Sequence, residues 1–117
     1  MAGSSWKKSP PDLVEAFGAL AGRYPELAQR KMFGYPAAFI AGNMTTCLHE
    51  ERWIVRLGEA DRAELLARPG ATPFEPMPGR PMREYVVLPP DVRSDPAAIA
   101  AWVERAIAYA RTLPPKR

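Results

Sequence analysis

The chain has 117 residues, 47% of them apolar and 25% charged, with a formal net charge of +3. That length suits one domain able to bury roughly 65% of its unfolded surface, and the balance excludes a disordered or fibrous chain. The single cysteine, Cys47, excludes an internal disulfide framework and points to a reducing, cytoplasmic setting, while no stretch reaches the ~18 apolar residues of a membrane span.

The positive balance sits at the ends. Lys7, Lys8, Lys116 and Arg117 are four of the sixteen cations, which leaves twelve against thirteen anions in the body. Phosphate contacts need clustered Lys and Arg, so nucleic-acid binding is not expected of the folded body. The leading MAGSSWKKSPPD has no apolar core of a secretion signal. Residues 1–8 and 114–117 read as tails flanking one domain over 9–113. The 14 prolines fall in short clusters and punctuate loops.

In chain order, Ser9 stands where it caps a first helix, with Pro10 at the first turn and Asp12 behind it. Leu13, Phe17, Leu20 and Tyr24 recur at helical spacing, and Pro25 stops the run. The period then becomes that of strands. Residues 31–34 read as a short strand and 37–41 as the next. Gly42-Asn43 is the two-residue hairpin signal that returns the chain along 44–49. Glu50-Glu51 turns it again into 52–57, where Trp53, Val55 and Leu57 face one side and Arg52, Ile54 and Arg56 the other. Connections this short make the meander antiparallel.

Residues 59–68 read as a short helix ended by Pro69-Gly70. Segment 71–83 is rich in Pro and Gly and reads as loop, with Thr72–Met77 as a brief edge strand. Residues 84–88 form a strand. Asp95 caps the last helix, Pro96 fills its first turn, and Ile99, Trp102, Val103, Ala106, Ile107 and Ala110 make its apolar stripe. The expected fold is α+β: a helix, a meander of three or four strands, a short helix, one or two strands and a long helix, with the helices covering one face of an antiparallel sheet of about five strands. Its other face is left partly open as an interaction surface.

Chemistry is sparse. Cys47 and His49 share a strand face, but such neighbours stand ~6–7 Å apart and no Asn or Asp is evident to orient the imidazole. One Cys and one His fall short of a zinc site, and no CxxC, HExxH or EF-hand pattern occurs. No glycine-rich loop opens a helix to cradle phosphate. No catalytic residue, metal or cofactor is therefore assigned.

Two features remain as contacts for a ligand or partner. Arg80 and Arg83 lie close together before a strand, and paired guanidinium groups suit a carboxylate, a phosphate or an acidic partner. Met32-Phe33-Gly34-Tyr35 sets large apolar residues around a glycine, which makes Phe33 and Tyr35 candidate contacts, with Arg56 as a further cation. A plainer account stands beside each. The arginines are solvated or paired with Glu75 and Glu84, and Met32 or Phe33 faces the core while Gly34 permits a bulge.

The runs RKMFGYPAAFIAGNM, ERWIVRL, PFEPMPGRPMREYVVLP and DPAAIAAWVERAIAYA follow one another over residues 10–112 in a way that resembles the TfoX N-terminal domain family. The most specific marks are Met32-Phe33-Gly34, the Gly-Asn pair, Pro73-Phe74, the turn at 79–82, and Pro89 followed by a helix carrying Trp102. The resemblance implies a two-layer α+β fold like that of secretion chaperones and YjbR-like proteins, with the order α-β-β-β-α-β-β-α. It implies kinship with bacterial regulators of competence genes, which act with a cyclic-AMP receptor protein at promoters. In those a second, helical domain follows, whereas this chain stops at Arg117. The family brings no agreed catalytic residues. The expected function is that of a small non-catalytic protein-interaction module or transcription co-regulator, bound to a protein partner or to a second copy of itself. The alternative is a small-ligand protein or enzyme with a pocket by residues 32–35 and Arg80/Arg83, and nucleic-acid binding is a further one.

Overall fold

The computed structural model describes residues 7–77 and 79–116, apart from the side chain of Arg80. Of the expected tails over 1–8 and 114–117, residues 1–6 and Arg117 lie outside these residues. Helix α4 (Pro96–Ala110) forms as its sequence dictates. The Asp95 carboxylate accepts from the Ala97 N–H at 3.1 Å, Pro96 opens the first turn, and seven apolar residues from Ile99 to Ala110 are buried along one side. Helix α1 (Pro11–Ala21) buries Phe17, Leu20 and Ala21. Ser9 does not cap it. Its hydroxyl donates to the Glu50 carbonyl at 2.6 Å, so the helix starts after Pro10 with no side-chain cap. Helix α2 (Glu59–Leu66) seats Leu65, and a short α3 (Pro90–Arg93), not anticipated, leads into α4.

The sheet has six strands: β1 (Ala28–Met32), β2 (Tyr35–Ile40), β3 (Asn43–His49), β4 (Arg52–Arg56), β5 (Thr72–Met77) and β6 (Arg80–Val87). Their order is β1-β2-β3-β4-β6-β5, antiparallel throughout. The expected five strands fall one short, and residues 80–83, read as loop, are the first half of β6.

Two turns fix the first strands. Phe33 (φ 54°) and Gly34 (φ 84°) join Met32 to Tyr35, and Ala41 (φ 50°) and Gly42 (φ 82°) join Ile40 to Asn43. Two residues with positive φ between paired strands are the type I′ pattern, which matches the strand twist. The second turn is thus Ala41-Gly42, one residue earlier than the Gly-Asn signal suggested. Asn43 instead begins β3 and donates its side-chain amide to the Pro114 carbonyl at 2.9 Å.

The alternation on β4 is as expected. Trp53, Val55 and Leu57 enter the helix-side core with Phe17, Val103 and Ala106. The buried Trp53 indole donates to Thr46 Oγ1 at 2.9 Å, and that hydroxyl donates to the Ile54 carbonyl at 2.7 Å, so the ring is buried without an orphaned N–H.

The opposite face holds a second, smaller core of Ala37, Phe39, Met44, Cys47, Ile54 and Phe74. Sheet curl explains its burial. β3 and β5 are three strand spacings apart, which is about 14 Å in a flat sheet. Yet the rings of His49 on β3 and Phe74 on β5 lie 5.3 Å apart. The β5–β6 hairpin therefore folds over the face that the helices leave bare. Register breaks at Pro73/Phe74 and Phe74/Met77 supply the bend.

Candidate binding site

Between the β1–β2 turn and the folded-over β5–β6 hairpin lies a hollow of about 220 Å³. Strand β3 contributes Met44, Cys47 and His49 to it. One wall is Met32, Phe33 and Tyr35, and the other is Phe74, Pro76, Met77 and Met82. The placement follows from the bends described above, because a flat sheet would leave these two walls on opposite edges.

The polar groups of the hollow are subdued. Burial pushes the Cys47 thiol up to about 12, so it stays protonated near neutral pH and is a poor nucleophile. His49 packs between the rings of Tyr35 and Phe74, at 5.0 and 5.3 Å. Burial lowers its pKa, against a smaller opposing pull from Glu50. Its Nδ1 lies 3.2 Å from an Arg52 guanidinium nitrogen. Arginine only donates, so Nδ1 accepts and the neutral ring carries its proton on Nε2. The Tyr35 hydroxyl donates to the Lys7 carbonyl at 2.5 Å, and burial raises its pKa.

Phe33 stands at the mouth. It is 80% exposed, and Met77 across from it is 57% exposed. An aromatic residue at positive φ is uncommon, and the left-handed region costs an L-residue about 1–2 kcal/mol. Strain of this kind concentrates at functional sites.

The structure brings together some of the expected contacts and separates others. Phe33 and Tyr35 both line the hollow. Arg56 does not. It sits at the far end of β4 from Arg52, where its Nε pairs with Glu84 at 2.8 Å and its guanidinium lies 5.4 Å from the Tyr85 ring centre. Tyr109 donates to the same carboxylate at 2.8 Å. Partial burial works to raise the Glu84 carboxyl, but the hydrogen bonds from Tyr109 and Arg56 outweigh it and hold it low. Arg83 is exposed on β6. The backbone of Arg80 pairs opposite Met77, and its side chain lies outside the described residues.

Sequence reasoning missed Met44, Phe74, Met77 and Met82 as site residues, and it set Lys7 and Lys8 aside with the tails. Together with Lys31, those two lysines line a second hollow of about 400 Å³ that also borders Phe33. Lys7 is held there by its N–H, which donates to Glu50 at 2.9 Å. Among the described residues no group of three or more His, Cys, Asp and Glu could hold a metal, and no helix is long and apolar enough to cross a membrane.

No curated protein and no solved structure matches the chain. The TfoX N-terminal domain profile, by contrast, matches residues 19–110. That span runs from the end of α1 to the end of α4 and takes in both type I′ turns and the folded-over hairpin. The chain belongs to the TfoX N-terminal domain family.

Proposed function

We propose that this TfoX N-terminal domain protein works by binding a protein partner rather than by catalysis, as an interaction module or transcription co-regulator in the cytoplasm. The observation that carries the reading is Phe33. A type I′ turn prefers Asn, Asp or Gly at this position, yet the chain presents a phenyl ring that is 80% exposed. An exposed aromatic on a hairpin tip suits the role of an interface anchor. Lys7, Lys8 and Lys31 beside it suit a partner whose apolar recess is rimmed by acidic groups. The protonated Cys47 thiol and the engagement of Arg56 by Glu84 support a non-catalytic role.

The test is capture from lysate of the source organism with the wild-type chain and with Phe33→Asn. The reading expects one or more proteins retained by the first and lost from the second. Recovery of the same proteins by both chains would sink it. Sedimentation of both chains separates a second copy from a foreign partner.

A further inference from the structure

We propose that the methionine-lined hollow is a binding site for a small, uncharged aromatic molecule of one or two fused rings. Size sets the upper limit. At about 220 Å³, it exceeds the ~150 Å³ of an apolar cavity that admits benzene, and it falls below the ~300–1,000 Å³ of sites for drug-sized ligands.

The walls set the chemistry. Among the described residues that line it, none carries a formal charge at neutral pH. The Tyr35 hydroxyl is committed to the Lys7 carbonyl, and His49 Nδ1 to Arg52. An ionic ligand would give up hydration there without meeting an opposite formal charge among these residues. The Phe74 ring and the methionine side chains instead give apolar walls for a flat guest.

Methionine placement carries the inference furthest. The chain has five methionines, and all four beyond Met1 line this one hollow. They arrive from separate strands, β1, β3, β5 and β6. The larger helix-side core contains none; it is filled by Leu, Ile, Val, Ala, Phe and Trp. A core that needs only filling is best served by such residues with defined rotamers. Thioethers are flexible and polarizable, re-pack around a guest, and contact aromatic rings favourably. The mouth is flanked by the exposed side chains of Phe33 and Met77 on two different hairpins, so a guest enters by side-chain rotation.

This site does not depend on the protein-partner reading, and the experiment reads the two separately. The full chain is labelled at the methionine methyl carbons and titrated with indole, and in a second arm with indole-3-acetate, the same ring bearing a negative charge. Indole is expected to shift the resonances of Met32, Met44, Met77 and Met82 and to saturate below about 10 mM. Indole-3-acetate is expected to bind at least tenfold more weakly. Cys47→Leu, which adds carbon to the hollow, is expected to weaken indole binding about tenfold while the far-ultraviolet dichroism is kept. Should that variant fail to fold, the contrast between the two indoles still decides. Equal binding of both overturns the ligand class, and shifts that do not saturate overturn the site.

Discussion

Phe33→Asn tests whether the β1–β2 turn is built for function at the expense of stability. At 80% exposure the ring buries about a fifth of itself, roughly 40 Å² and so about 1 kcal/mol of hydrophobic stabilisation. Against this, a non-glycine residue at φ 54° carries about 1–2 kcal/mol of left-handed strain. Asparagine relieves most of that strain and creates Asn-Gly, the strongest type I′ sequence. The expected net effect is between neutral and about 1 kcal/mol of added stability, seen as a rise of up to about 5 °C in Tm. Phe33→Ala keeps the strain and loses the ring, so it is expected to be about 1 kcal/mol less stable than wild type. The assay is urea unfolding, with equal m-values as the check that midpoints can be compared. A loss of about 2 kcal/mol or more in Phe33→Asn would refute the reasoning, because the ring would then be a structural brace between the hairpins.

Three further outcomes follow from the packing. A Cβ at Gly42 would stand 2.0 Å from the Lys116 carbonyl oxygen, at a backbone φ of 82°; Gly42→Ala is expected to cost 2 kcal/mol or more by thermal unfolding, and about half of that in a chain ending at Leu113, where only the strain is left. Thr46→Val strips the acceptor from the buried Trp53 indole, with an expected loss of about 2 kcal/mol in urea unfolding; an unchanged midpoint would mean the indole N–H finds another acceptor. Burial lowers the His49 pKa from its ordinary 6.5, so the unfolded chain takes up the proton first and the stabilisation, complete above that value, is lost as pH falls toward the native pKa. Glu26, Glu50 and Glu84 are also held low, but from an ordinary 4.5, so the urea midpoint between about pH 5 and pH 6.5 is expected to fall in wild type and to flatten in His49→Gln; equal slopes in both would remove His49 as the cause.

What could be read from the sequence was whatever a single segment decides by itself. Asp95-Pro96 and the stripe from Ile99 to Ala110 need no partner to specify a capped amphipathic helix, and that helix is present. Trp53, Val55 and Leu57 alternate cleanly because β4 is central and has a core on each side. The edge strand β1 is a different case. Its AQRKM is exposed along almost its whole length, so no alternation marks it, and the polar side chains that obscure it also protect the edge from pairing with other chains. At Ala41 and Phe33, tertiary pairing overrides local preference. Neither residue favours positive φ, so each turn shows only its glycine.

The site was half legible for the same reason. Phe33 and Tyr35 drew notice because large rings beside Gly34 are locally odd. Met44, Phe74, Met77 and Met82 are locally ordinary, and only the curl of the sheet brings them to Phe33. That curl depends on register breaks in a segment whose prolines and glycines read as loop. The same prolines explain why β5 lies at an edge and bends, since each removes a backbone donor from a ladder. Feature and site thus share one cause: residues that make β5 a poor strand make it a strand able to fold over and close a hollow. One trace of this was still present in the composition, because a chain whose helix-side core contains no methionine has set its four internal ones aside for another surface.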